Sequence, residues 1–363
     1  MTKVNKRGII GRLERLPSLD CESRDDFFNG VRGWHSRVVS PQAKKRFEKI
    51  LRLKGLDPKN DLELDQILTL IKDDFLINLE ALCFLEPKRR AHNNYRIEFE
   101  KKSDLYLSEL EHYDNSGPGR IELNPDLKIP HYTKHEIHQQ PGGYVGHPFS
   151  GHLYHYGTNA FYLARNIDNH QDQTHTKMGR QMPSPSDQNV RRILDMGCGV
   201  GQLSIALKER FSKADVWGID VAAPMLRYAH MRSVDLNIKV NFSQQLAEKT
   251  TFPDNHFDIV TSYILHHEVP EDISIKIVNE AFRILRPGGI FFPIDFLTGG
   301  VSKPNAWFTL KKWIDHRWNN EVWRPSYEKV NLNRAMRSVG FDVKEKGPAA
   351  WYRKYNVLAT KPA

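Results

Sequence analysis

The chain of 363 residues carries 53 Lys and Arg against 44 Asp and Glu, a formal net charge of +9. Its 39% hydrophobic and 27% charged residues give the balance of a folded globular protein and exclude wholesale disorder. No run approaches the ~18 consecutive apolar residues of a membrane-spanning helix, and the basic start from Met1 to Arg15 lacks the apolar core of a secretory signal.

The first predicted elements are helical and form an accessory domain over residues 1–112. Phe27, Phe28, Val31 and Trp34 recur at helical spacing, as do Phe47, Ile50 and Leu51, and then Leu64, Ile67, Leu68, Ile71, Phe75, Leu79 and Leu82. Residues 113–189 read as a His- and Tyr-rich lid followed by a linker. Asn115-Ser116-Gly117-Pro118-Gly119 and Pro141-Gly142-Gly143 are turn chemistry, and the polar stretch from Asn169 to Asn189 is the linker candidate.

From residue 190 to 363 the pattern alternates strand and helix. Ile193 to Asp195, Val216 to Asp220, Lys239 to Phe242, Phe257 to Tyr263 and Ile290 to Phe296 are strands. Gln202 to Phe211, Ala223 to Val234 and Ile273 to Leu285 are helices. Such alternation makes a doubly wound, mostly parallel α/β sheet, with ligands bound at the C-terminal ends of the strands. An aromatic insertion at 301–327, with Trp307, Phe308, Trp313, Trp318 and Trp323, reads as an amphipathic helix covering a cavity.

The sharpest local signal is Leu194-Asp195-Met196-Gly197-Cys198-Gly199-Val200-Gly201. Glycines at a strand-to-helix turn let the backbone approach a ligand, and the helix start behind them offers unpaired N–H groups. The spacing is not the dinucleotide fingerprint, because Gln202 stands where its last glycine belongs. Asp195, two residues before the first glycine, suits an amine-bearing ligand better than a pyrophosphate. Asp220 closes the second strand, 19 residues after Gly201, where a carboxylate can accept both hydroxyls of a ribose.

At these residues the chain resembles the class I S-adenosylmethionine-dependent methyltransferases, particularly the small-molecule group with ubiquinone/menaquinone-type enzymes. Further matching motifs are Gly218-Ile219-Asp220 with Pro224-Met225-Leu226, Phe252-Pro253-Asp254-Asn255-His256-Phe257-Asp258, Arg283-Ile284-Leu285-Arg286-Pro287-Gly288-Gly289, and Met336-Arg337-Ser338-Val339-Gly340-Phe341. The resemblance implies a Rossmann-like sheet of seven strands and S-adenosyl-L-methionine as cofactor. It implies that Gly197, Cys198, Gly199 and Gly201 form the loop around its methionine part and that Asp195 orients that loop and the amino group. By the same resemblance Asp220 and Val221 lie at the ribose, Met225 packs on the adenine, and Ala247 and Glu248 border the adenine edge. The family often has Asp or Asn where Leu246 stands here, which leaves the adenine amino group to the Ala247 backbone.

His266, His267 and Glu268 follow the fourth strand at the mouth of the sheet and are the candidate catalytic residues on the acceptor side. In the run from Phe149 to Gly157, where the family commonly has a lid, Tyr156 is the candidate cofactor contact, with Tyr154 and His155 beside it. Six histidines fall between His131 and His155. His131 and His135 have i, i+4 spacing, but His135-Glu136-Ile137-His138 is one residue short of the zinc-protease pattern, and no metal is expected. Cys198 reads as a packing residue rather than a nucleophile. Cys21, Cys83 and Cys198 form no CxxC pair and fit a reducing, cytoplasmic setting.

The charge is uneven: residues 121–300 sum to −2 and residues 301–363 to +8. A basic tail beside a near-neutral core is weak support for nucleic acid, and the fourth strand lacks the Asn/Asp-Pro-Pro-aromatic motif of enzymes that methylate base amines. The reading is methyl transfer to a small organic acceptor by in-line displacement, with an anionic acceptor one account of the tail. The alternatives are an RNA or protein methyltransferase docking through that tail, or a cofactor-binding protein that does not methylate.

Overall fold

A computed structural model describes residues 18–158, 170–296, 305–350 and 353–363. The basic start of the chain and the first four residues of the aromatic insertion lie outside them.

Five helices open the described chain: α1 (Leu19–Trp34), α2 (Ser40–Leu53), α3 (Leu64–Ile71), α4 (Phe75–Glu100) and α5 (Ser103–Asp114). A single π-turn, His35–Val39, joins α1 to α2. Two of them, α1 and α4, begin with side-chain caps. The Ser18 hydroxyl accepts from the Cys21 amide at 3.1 Å, and an Asp74 carboxylate oxygen accepts from the Ile77 amide at 3.2 Å. The apolar positions predicted for α2 and α3 face one another, with Phe47, Leu51, Ile67 and Ile71 buried.

Residues 113–189 are not a free linker. Arg120–Glu122 forms β1, which pairs in parallel with a strand of the sheet. Ser150–Tyr156 is α6, and His170–Gln181, inside the stretch predicted as linker, is α7. The polar composition misled because α7 is held by polar contacts as much as by apolar ones. Met178 and the following Met182 are buried, and the buried Asp172 carboxylate accepts from Gln202 Nε2 at 2.7 Å and from the Arg232 guanidinium at 3.1 Å.

The remaining elements follow the predicted alternation: β2 (Arg192–Met196), α8 (Gln202–Arg210), β3 (Asp215–Asp220), α9 (Ala223–Asp235), β4 (Asn241–Gln244), β5 (Phe257–Tyr263), α10 (Glu271–Ile284) and β6 (Leu285–Ile294). They end with α11 (Ala306–Trp318), α12 (Arg324–Tyr327), α13 (Leu332–Val339), β7 (Asp342–Lys344) and β8 (Leu358–Thr360). The sheet order is β1-β4-β3-β2-β5-β6-β8-β7. All pairs from β1 to β6 are parallel, and β8 pairs antiparallel with both β6 and β7. The sheet therefore has eight strands rather than the predicted seven, because β1 adds an edge ahead of residue 190.

Alternation along the strands covers both faces. Leu194, Met196 and Val260 pack with α10 and α13, while Ile193, Val216 and Ile259 pack with α8 and α9. Strand order reverses at β2, between β3 and β5, so a crevice opens beyond their C-terminal ends. The insertion helix α11 buries Leu310 and Ile314 against α2 and α3. Further along the insertion, Trp323 Nε1 donates to the Tyr132 carbonyl at 2.8 Å. No helix among the described residues is long and apolar enough to cross a membrane.

Candidate functional site

The crevice is built on the turn after β2. Gly197, Gly199 and Gly201 all have positive φ, at 68°, 53° and 71°. A Cβ on Gly197 would stand 2.7 Å from Leu265 Cδ1, whereas one on Gly199 would meet only Met225 Cε, at 3.6 Å. Gly197 is thus pressed against the wall, and Gly199 borders open space. The loop is strapped to the end of β3: the Cys198 amide donates to the Ile219 carbonyl at 2.9 Å. One Asp220 carboxylate oxygen accepts from the Gly199 amide and the other from the Ala222 amide, each at 2.9 Å. Asp220 fixes the loop with one lone pair per oxygen and keeps the others for a ligand.

Asp195 is 1% exposed. Its Oδ2 accepts from the Ser204 hydroxyl at 2.6 Å, and its Oδ1 has no partner. Burial pushes its carboxyl up to about 7, and burial also raises that of Asp220. Burial raises the Cys198 thiol well above its ordinary value, so Cys198 is a packing thiol and not a nucleophile.

Two adjoining cavities share Tyr154, Gly197, Gly199 and Tyr263. The smaller adds Asp195, Cys198, His175 and Gln202. The larger has Asp220, Val221 and Met225 on its floor and Leu246, Ala247 and Glu248 along one edge. Tyr132, His135, Tyr144 and Tyr154 roof it, and Leu265 and Glu268 close the far wall. Tyr132 is fixed by donating to Glu248 at 2.6 Å, while its own carbonyl accepts from Trp323 Nε1 at 2.8 Å. The His- and Tyr-rich segment lines this cavity through Tyr154, one of the residues read from the sequence, and through Tyr132 and Tyr144, which were not singled out; its density of aromatic rings was the signal that could have found them.

Several predicted site residues stand elsewhere. Tyr156 packs its ring against Tyr95 and Phe99, at 6.0 and 5.5 Å, and does not line either cavity; Tyr154, two positions earlier, does. Two helical steps of about 100° each, roughly 200° in all, put the two side chains on opposite sides of α6. Gly201 begins α8 under Phe242 and Ala229 and supports the loop from behind. His266 is fully buried, with Nδ1 2.9 Å from Ser274 Oγ, and burial pushes its pKa down to about 4, so it is a core imidazole rather than a catalytic one. His267 also stays out of the cavity walls. Its Nδ1 lies 2.8 Å from Asp295 Oδ1 and its Nε2 3.5 Å from Glu268 Oε1. Burial opposes its charge, but Asp295 and Glu268 overcome that and hold the imidazolium well above its usual range. Of the three candidate catalytic residues, Glu268 alone reaches the cavity.

The walls fit S-adenosyl-L-methionine part by part. The unpartnered Asp195 Oδ1 beside Gly199 suits an ammonium group. The Asp220 carboxylate suits a ribose diol, and the slot between Met225, Leu246 and Ala247 suits a purine. Among the described residues, no Lys or Arg lines either cavity. Four basic residues after 305 pair with carboxylates: Lys311 with Glu80, Lys312 with Glu328, Arg324 with Asp315 and Arg337 with Glu345.

Comparison with known proteins agrees with this geometry. Residues 193–289 match the family described as a methyltransferase domain. The demethylmenaquinone methyltransferase of Thermus thermophilus is 36% identical over 106 residues, covering 29% of this chain and 47% of that protein. The ubiquinone/menaquinone biosynthesis C-methyltransferase UbiE of Rickettsia bellii is 37% identical over 123 residues, covering 32% and 47%. The chain thus spans about half the length of the curated relatives it matches. Among solved structures, magnesium protoporphyrin IX methyltransferase from Synechocystis PCC 6803 with bound cofactor aligns over 66% of this chain and 99% of that one, at 15% identity and a TM-score of 0.42. Residues 193–289 are thus similar to a methyltransferase domain.

Proposed function

We propose that the whole chain transfers the methyl group of S-adenosyl-L-methionine to a small organic acceptor bound under the Tyr132–Tyr154 roof. The observation that supports this best is the pairing of a loop strapped to Asp220 with an enclosed cavity ending at Glu268. The cofactor, when bound, supplies a methyl on a sulfonium, already a strong electrophile. The protein's work is then to orient, to exclude water and to take a proton where the acceptor must lose one.

Asp220 would hold the ribose, and Asp195 the amino group. Tyr154, half-buried and neutral, would close the cavity between the two ligands. Glu268 is the side chain placed to accept an acceptor's proton, and His267, charged and anchored on Asp295, would orient it. The aromatic roof and the lack of a Lys or Arg on the wall among the described residues favour a neutral acceptor with a ring. The relatives are named for ubiquinone and menaquinone biosynthesis, so hydroxylated rings are the first acceptors to try. The RNA and protein readings gain nothing from the cavity, which is roofed and narrow.

The test is incubation with methyl-labelled cofactor and a host metabolite extract, with small molecules and macromolecules separated afterwards. Label in a small product that is lost in Glu268→Gln is the expected result. Label only in RNA or protein would overturn the reading.

A further inference from the structure

The acceptor end of the cavity backs onto a second group of side chains that no step above uses. His138 lies in a short 3-10 turn, Ile137–Gln139, Glu268 in the turn His266–Glu268, and Glu321 just beyond α11. These segments are distant in sequence, yet one ligand atom from each comes within 4.8 Å of the others. His138 Nε2 contacts Glu321 Oε1 directly and lies 4.0 Å from Glu268 Oε1.

We propose that His138, Glu268 and Glu321 bind a divalent cation of the Mn2+, Fe2+ or Zn2+ kind. One imidazole nitrogen and two carboxylates form the mixed N/O set these ions take. A cation about 2.0–2.2 Å from each atom needs ligand separations of roughly 2.8–4.4 Å. The His138–Glu268 distance is already in that range, and the His138–Glu321 contact needs to open only slightly.

Two further observations point to a ligand. Glu321 is 2% exposed, and its Oε2 has no partner, an expensive state for a buried carboxylate. His138 and Gln139 both take positive φ, 52° and 58°, a rare conformation for two consecutive side-chain-bearing residues; it forms the turn that carries the His138 ring. The nearby charges do not settle the account. Lys88, 2% exposed, gives its ammonium to Asn319 Oδ1 at 2.7 Å; Arg324 pairs with Asp315, and His267 with Asp295. His267 also faces Glu268, at 3.5 Å, but no hydrogen bond reaches the Oε2 of Glu321. Glu268 belongs to both the cluster and the cavity wall, so the cation would supply at the acceptor end the positive group the wall lacks. The binding itself stands apart from the methyl-transfer reading.

The test uses the full chain, stripped with a chelator and titrated with Mn2+ alone, free Mn2+ being followed by its paramagnetic resonance signal. One Mn2+ per chain is expected, with affinity lowered about tenfold or more in Glu321→Gln and in Glu268→Gln, and unchanged in the surface control Glu328→Gln. Circular dichroism on each variant confirms the fold. Absence of Mn2+ and Zn2+ uptake by the wild-type chain would overturn the proposal, as would wild-type affinity in a folded Glu268→Gln/Glu321→Gln double variant. S-adenosylhomocysteine binding, measured on the same samples, separates this outcome from failure of the methyltransferase reading.

Discussion

The cofactor end of the cavity is held by backbone. Three glycines with positive φ, two amides on Asp220 and the register of β2 beside β3 fix its shape, all within residues 193–247. The acceptor end is held by side chains from distant segments: Tyr132 on Glu248, Trp323 on the Tyr132 carbonyl, His138 on Glu321, His267 on Asp295. Backbone geometry is written in a contiguous motif, whereas a side-chain network depends on how far-apart segments meet.

The largest effect that would sharpen this contrast is expected at Asp220. Asp220→Ala removes the acceptor for two loop amides as well as the ribose contact. S-adenosylhomocysteine affinity should fall tenfold or more, since hydrogen bonds to a charged group contribute about 1.5–3 kcal/mol. Calorimetry on the variant checks this, and unchanged affinity would break the assignment of the cofactor end.

Next in size is a pH effect at Asp195. Its folded pKa, about 7, lies above the unfolded value, so the native state binds the extra proton. This contribution to stability is complete below the ordinary carboxylate range and is lost as pH rises through about 7. Without cofactor, the wild type should lose stability relative to Asp195→Asn between pH 4 and 7, by a few kcal/mol at most. Binding of an ammonium-bearing ligand at pH 6 should release a proton. Calorimetry in two buffers of different ionisation enthalpy reads that release, and identical heats would remove Asp195 from the amino-group site.

The smallest effect tests the roof. Tyr154→Phe should weaken S-adenosylhomocysteine binding a few-fold, while Tyr156→Phe should leave it unchanged, because the Tyr156 ring sits among Tyr95 and Phe99. Equal effects would blur the boundary between the two regions.

What was legible in the sequence follows the same division. The strands around Asp195 and Asp220 and the helices between them could be read because periodicity and glycine spacing are local, and Val221, Met225 and Ala247 followed from the family resemblance of the same contiguous stretch. The edge strand β1 is three residues with no alternation to detect, and α7 hides in a polar stretch because its anchor, Asp172, is polar. His266 and His267 follow a strand at the mouth of the sheet, but sequence position does not tell which way a ring turns. Ser274 and Asp295 turn both away from the cavity and leave Glu268 facing it. Glu321 carries no local signal at all, since its meeting with His138 depends on α11 docking against α2 and α3.

The central claim is that the loop from Gly197 to Gly201 holds S-adenosyl-L-methionine. Titration calorimetry of the full chain with S-adenosylhomocysteine tests it most directly. One ligand per chain, with binding weakened in Asp220→Ala and retained in Tyr156→Phe, is the predicted result. No heat of binding from the folded wild-type chain would contradict it.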